Sequence, residues 1–321
     1  MNRPGEAHLP DRPGRRPRLA FFCRTGNHFL GDIIDHLNRD WDLQVFKGKS
    51  VAEMAELMGW CDVAWFEWCD EALVKASGLP KTCRIVCRLH SFEAFTDVPA
   101  QVAWEKVDAL IFVAPHIREI VTSRVPDLAR RVATPVVYNG VDLDRFAFCD
   151  RQPGFDIASV GYINHKKNPS LLLQCLSALV DRDGRFCLHV AGVHQERRFE
   201  LYMNHMIREM GLTDHVVYHG WVEDVPVWMA DKHFLISTSV FESFGYAIAE
   251  AMATGIKPLI HNFPGASSLY PRELLFNTVS DCVNSALSDD YTPVAYRRFI
   301  EENYRLEFQL RGIDRILLGL R

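Results

Sequence analysis

Two acids and two lysines carry the most pointed chemistry in this chain. Glu242 follows an apolar run, Phe234 to Ser237, and a loop of small and polar residues from Ser239 to Gly245. Ala247 to Ala253 then has high helix propensity, and Gly255 is suited to end that helix in a left-handed turn. Ser243, Phe244 and Gly245 are therefore expected at a helix N-terminus, where N–H groups lack intrahelical partners and the dipole is positive. Such a terminus is an anion site suited to a diphosphate. Glu242 falls just before the helix and Glu250 about one turn inside it. Lys166 and Lys167 lie in the segment Gly161 to Pro169, between a strand expected at 156–160 and a helix expected at 169–180. Cations opposite a helix N-terminus form a two-sided diphosphate clamp that needs no metal. Taken one at a time, these residues also fit an amphipathic helix with exposed acids and a loop with solvated lysines.

Other motifs carry less. Gly48-Lys49-Ser50 resembles the end of a phosphate-binding loop, but the leading glycine would fall at Leu43. No G-x-G-x-x-G follows the first strand, which argues against a dinucleotide enzyme. Asp142-Leu143-Asp144 and Asp181-Arg182-Asp183 have the D-x-D form of metal-dependent sugar transferases, yet no further ligand stands near either, and both read as turns. The 9 cysteines contain no C-x-x-C and no zinc spacing, and read as buried thiols in a reducing compartment. No metal or cofactor is expected.

These groups must be positioned by the elements around them. Short apolar runs alternate with amphipathic ones, which predicts parallel sheets covered on both faces. In the first half, strands are expected at 19–23, 43–46, 63–66, 84–89, 109–113 and 135–138, with helices at 29–37, 50–60, 98–106 and 115–124. A linker is expected at 147–155. In the second half, strands are expected at 156–160, 186–191, 215–219, 233–237 and 257–261, with helices at 169–180, 197–210, 246–254 and 278–287 and a helical tail in two pieces. The expected domains are a disordered tail at 1–18, a Rossmann-like unit at 19–147, a second at 148–304, and a helix at 305–321 that returns to the first. With 48% hydrophobic and 24% charged residues, 321 residues suffice for two packed cores and exclude a disordered chain. A net charge of -5 excludes bulk electrostatic binding of nucleic acid. No apolar run is long enough to span a membrane, and the N-terminus lacks the apolar stretch of a signal peptide.

Together these residues resemble the retaining GT-B glycosyltransferases of family 4, the glycosyl transferases group 1. The family's E-x7-E pattern matches Glu242 to Glu250, with Ser243-Phe244-Gly245 matching the usual residues after the first Glu. The lysine of the family's first C-domain loop falls at Lys167. Asn139-Gly140-Val141-Asp142 with Arg145-Phe146 matches the domain junction. Gly220-Trp221-Val222 matches the turn that meets the nucleotide base, and Pro264-Gly265-Ala266 a Gly-rich loop near the sugar. The likeness is strong over about 135–290 and weaker over 18–134. It implies an α/β GT-B fold, two Rossmann-like domains facing a central cleft. It also implies roles. Glu250 would bind ribose hydroxyls, and Glu242 with the Phe241–Phe244 backbone the donor sugar and phosphates. Lys167 would hold the diphosphate, with Gly161, Lys166, Val222 and Gly245 completing the donor site. His90 would reach the transferred sugar. One departure stands out: many members carry Arg directly after the loop glycine, where this chain has Tyr162, so that Lys166 would have to substitute.

The expected activity is transfer of a sugar from a nucleoside-diphosphate sugar to an acceptor hydroxyl with retention. No dedicated base stands out, His90 and Glu93 being the groups to suspect for an inverting mechanism. The acceptor, whether glycan, lipid-linked or protein, is open. Gly26, Asn27, Glu67 and Trp68 follow N-domain strands and are candidates to line its site. A nucleotide-sugar epimerase or a non-catalytic GT-B binding subunit are the alternatives. The expected location is cytoplasmic, with attachment to the inner face of a membrane left open.

Overall fold

The structure, a computed structural model, describes residues 15–23 and 30–320. Gly26, Asn27 and the tail through Gly14 lie outside the described residues. The chain forms two compact units, one of residues up to Tyr138 together with Gln309 onward, the other Asn139–Phe308.

The first unit is built on a five-stranded parallel sheet: β1 (Arg18–Phe22), β2 (Asp42–Val45), β3 (Val63–Glu67), β4 (Arg84–Leu89) and β5 (Ala109–Phe112), in the order β2-β1-β3-β4-β5. Leu19, Phe21, Trp65, Val86 and Ile111 supply one core face, and Ile33 and Leu37 of the helix Gly31–Asp40 close it. Local signals set the helices. Ser50 accepts from Glu53 N while Glu53 takes Ser50 N, a reciprocal cap that starts the helix Val51–Trp60. Asp70 accepts from Ala72 N and starts a helix at Glu71–Gly78 that the sequence reading did not expect.

Two other expectations are corrected. The helix expected at 98–106 is two 3-10 turns, Val98–Gln101 and Trp104–Lys106, because Pro99 sits in the first turn and Ala103 leaves helical geometry. The strand expected at 135–138 makes only isolated bridges beside β5. Pro135 accepts from Phe112 but has no N–H to donate, so no regular ladder starts there.

The second unit holds β6 (Asp156–Val160), β7 (Cys187–Ala191), β8 (Val216–Gly220), β9 (Phe234–Ser237), β10 (Lys257–His261) and β11 (Leu275–Phe276), all parallel, in the order β11-β10-β9-β6-β7-β8. Its core joins Ile157, Leu188 and Phe234 to Leu172, Leu173 and Leu176 of the helix Pro169–Val180. Strand order reverses between β6 and β9. In open sheets of this kind, ligands bind outside the carboxyl ends at that reversal.

The division between the units falls at Tyr138/Asn139, earlier than the linker at 147–155. Val141 exchanges backbone bonds with Tyr304 and Leu306, and a Cβ at Gly140 would stand 2.5 Å from Leu306 Cα, so the junction segment is tied into the second unit. Arg151 donates to the carbonyls of Thr254, Ala230 and Lys232, so 147–155 is a bonded part of that unit. All nine cysteines are free: Cys149 is exposed, Cys23 and Cys187 half-buried and the rest buried. Among the described residues no helix is long and apolar enough to cross a membrane.

Candidate active site

The loops after β6 and β9 meet at the strand-order reversal and are laced by their backbones. Val240 N donates to Lys166 O, and Thr238 Oγ1 to Lys167 O and Asn168 O. Asn168 adopts a left-handed conformation and caps the helix Pro169–Val180, turning the chain directly after the lysines. The floor is glycine. Gly161 has φ +124°, and a Cβ on Gly192, after β7, would stand 1.9 Å from Gly161 O. No other residue fits at that crossing.

Lys167 Nζ lies 2.7 Å from Glu242 Oε1 and Lys166 Nζ 3.0 Å from Oε2. Ser239 Oγ donates to Oε1 at 2.9 Å. Burial works to raise the Glu242 carboxyl, but the charges and hydrogen bonds of Lys167 and Lys166 outweigh it and hold the pKa at about 2. A pocket beside this cluster is lined by Gly161, Tyr162, Lys167, Ser239, Glu242 and Gly245. Lys166 thus brings a second cation to the carboxylate. The Tyr162 ring instead lies 5.6 Å from the Trp221 ring, and both are exposed.

The helix after Glu242 runs Tyr246–Ala253, with Gly245 as its N-cap at φ +80°. Its first amides therefore begin at Gly245, later than Ser243 and Phe244. Phe244 is an anchor: it is buried, packs edge-on to Tyr304 and Tyr246, and its carbonyl accepts from Tyr270 Oη at 2.7 Å. Phe241 and Ser243 are half-buried in the loop ahead, and Val222 is half-buried beyond Gly220, which ends β8 at φ +67°. Glu250 is half-buried on the helix, and its carboxylate makes no hydrogen bond or ion pair among the described residues. Burial pushes it up to about 7, against the opposing charge of Arg145.

The D-x-D segments are turns, as expected. Asp142 accepts from Asp144 N and Arg145 N, and Asp183 pairs with Arg185. Among the described residues no group of three or more His, Cys, Asp or Glu is placed to hold a metal ion.

In the first unit, β3 and β4 pair Glu67 with Arg88, and His90 follows β4. Glu67 is buried and accepts from Trp65 Nε1 at 2.9 Å, Arg88 Nη1 at 2.8 Å and His90 Nε2 at 2.6 Å. Its carboxylate therefore faces these three groups and is buried from solvent. The Trp68 ring packs on His90 at a 36° tilt with ring centroids 4.4 Å apart, and Trp68 has φ +100°. Glu93 is buried, and its Oε1 accepts from Cys69 N and His90 N, stapling two loops. Burial raises its pKa, and the two backbone amides on Oε1 make it a structural staple between those loops. Sequence reasoning missed Arg88 and Trp65, whose only local signal was a charge and an indole inside apolar strands.

Residues 144–270 match the family model for Glycosyl transferases group 1. The GDP-mannose:cellobiosyl-diphosphopolyprenol alpha-mannosyltransferase of Xanthomonas campestris is 30% identical over 157 residues, covering 46% of this chain and 41% of that protein. The lipopolysaccharide core biosynthesis mannosyltransferase LpsB of Rhizobium meliloti (strain 1021) is 26% identical over 155 residues, 43% of this chain and 42% of its own. The chain thus spans about two fifths of the length of these curated relatives. Among solved structures, Anabaena Alr3699/HepE in complex with UDP superposes with a TM-score of 0.78 at 16% identity, covering 94% of this chain and 100% of that one. The sucrose-phosphate synthase (tll1590) of Thermosynechococcus elongatus superposes at 0.74 and 14% identity, covering 95% and 99%.

Proposed function

We propose that this chain, whose residues 144–270 match the glycosyl transferases group 1 model, is a retaining glycosyltransferase acting on a nucleoside-diphosphate sugar without a metal ion. The observation that carries the proposal is the pair of ammoniums, Lys166 and Lys167, closed on one carboxylate at the strand-order reversal, beside a helix N-terminus. A diphosphate offers the same lysines more negative charge than Glu242 does.

In this mechanism the bond from the anomeric carbon to the phosphate oxygen breaks, and its electron pair leaves with the phosphate. The acceptor hydroxyl oxygen attacks from the same face, and its proton passes to the departing phosphate oxygen. Lys166, Lys167 and the amides at Gly245 and beyond stabilise the negative charge that develops. Glu250 binds the ribose hydroxyls, Trp221-Val222 meet the base, and Glu242 orients the sugar.

The relatives are named for GDP-mannose or mannose transfer, and the HepE structure contains UDP. The test is therefore a donor panel that includes GDP-mannose and UDP-glucose, reading released nucleotide with and without an acceptor hydroxyl. A product of unchanged anomeric configuration by NMR coupling supports retention. A nucleotide sugar altered with no acceptor present would identify an epimerase instead.

A further inference from the structure

His90 is held more tightly than a sugar contact requires. Its Nε2 lies 2.6 Å from Glu67 Oε1, and the same oxygen takes Arg88 Nη1 at 2.8 Å. Trp65 Nε1 holds the other oxygen at 2.9 Å. Neither the Glu67 nor the Arg88 side chain has measurable exposure. An ionised carboxylate can only accept, so the bond at Nε2 requires a proton on that nitrogen. Burial works to raise the Glu67 carboxyl, but the Arg88 charge and the His90 and Trp65 bonds outweigh it, so it stays ionised.

The face of the ring is fixed as well. Trp68 packs on it at 4.4 Å and holds φ +100°, where a residue with a large side chain is a genuine outlier. Such conformations persist only where the surroundings over-determine them, and they concentrate at functional sites. Two bonds supply that constraint: Trp68 N donates to Arg88 O, and Cys69 N to Glu93 Oε1. Edge and face of one imidazole are thus both set by groups that sit on two neighbouring strands and the loops after them.

We propose that Glu67 is a positioning residue that fixes His90 as the Nε2–H tautomer and locks its ring orientation, with Arg88 keeping Glu67 charged. The Nε2 proton is committed to the protein, so His90 does not use it to contact a donor sugar. This rests on the transferase reading for the role of His90, but not for the tautomer.

The test has two arms on the full chain. In the first, nitrogen-15 NMR of labelled histidines, with His90 assigned by its absence in His90→Ala, reads the tautomer. The expected result is Nε2–H in the wild type and its loss or mixing in Glu67→Gln. A wild-type Nδ1–H tautomer overturns the proposal with no variant needed, which covers the case where Glu67→Gln does not fold. In the second arm, Glu67→Gln lowers kcat by roughly tenfold to a hundredfold with donor KM within about twofold. Adding Glu67→Gln to His90→Ala then costs nothing further. Multiplying losses overturn the proposal, as does wild-type kcat in His90→Ala. If the wild type turns over no donor, the transferase reading fails and the NMR arm alone decides the positioning.

Discussion

Lys167 and Glu242 stand 75 residues apart in the chain and meet at 2.7 Å, with Lys166 on the other oxygen of the same carboxylate. On the proposed function, the donor's diphosphate and the Glu242 side chain compete for the same two cations. Glu242→Gln is expected to tighten GDP and UDP by about three- to tenfold, while Lys167→Ala and Lys166→Ala each weaken them by about tenfold. Calorimetry with nucleotide and matching nucleoside checks it, since the nucleoside should be unmoved by either lysine variant. Weaker diphosphate binding in Glu242→Gln would show that the carboxylate supports the anion site and does not compete with it.

The same carboxylate links stability to pH. Its pKa of about 2 lies below the ordinary glutamate value, so the folded state favours the ionised form. The associated stability, on the order of 3 kcal/mol, is present above the ordinary carboxylate range and is lost as pH falls toward 2. The stability lost on Glu242→Gln should accordingly be largest near pH 6 and shrink toward pH 3 in urea titrations. A penalty independent of pH would refute the linkage.

Glu250 behaves in the opposite sense. Burial raises it to about 7, so near neutral pH it is divided between acid and carboxylate. Only the carboxylate accepts from both ribose hydroxyls. Affinity for uridine or guanosine, which carry no titrating phosphate, should rise as pH passes from 6 to 8, and should be flat in Glu250→Gln. A flat wild-type profile would remove Glu250 from the ribose site.

Trp221 is exposed beside Tyr162, directly after Gly220 with its φ of +67°. If a base stacks there, Trp221→Ala should weaken nucleotides by about 1–3 kcal/mol while leaving inorganic pyrophosphate unchanged. Equal losses for both ligands would point to a collapsed loop.

The clamp is made of lysines and amides, so activity should survive EDTA. A loss restored by magnesium or manganese would require ligands other than those assembled around Glu242.

Legibility followed sequence distance. Strands such as Arg84–Leu89 and Asp156–Val160 were visible as apolar runs, and the helices at 50–60 and 169–180 as the longer runs between strands, their caps at Ser50 and Asn168 emerging only in the structure. The helix Glu71–Gly78 was as readable from Asp70 but was passed over between two strong strands. Glu67 and Arg88 were readable only one at a time. Their meeting depends on the β3–β4 register, which parallel pairing sets across 21 residues with no hairpin to announce it. The lysines and Glu242 were joined by family resemblance, because nothing local in either segment names the other. Phe244 enters the family pattern through its backbone, and its ring, which the pattern leaves open, packs against Tyr246, Tyr270 and Tyr304.

The helix Leu306–Gly319 starts among residues of the second unit, and from Gln309 onward it belongs to the first. Ile313 and Leu317 are fully buried in the same core as Leu19, Phe21 and Trp65. His36 and Asp314 meet at 2.9 Å on that unit. A ribosome delivers the five strands of the first unit long before it delivers these closing side chains, and makes all of the second unit in between. The unit begun first is therefore completed after the other, with the part of its apolar face that Ile313 and Leu317 cover left open throughout the interval. Nascent chains stalled near residue 150 should engage chaperones more than chains released past Leu317.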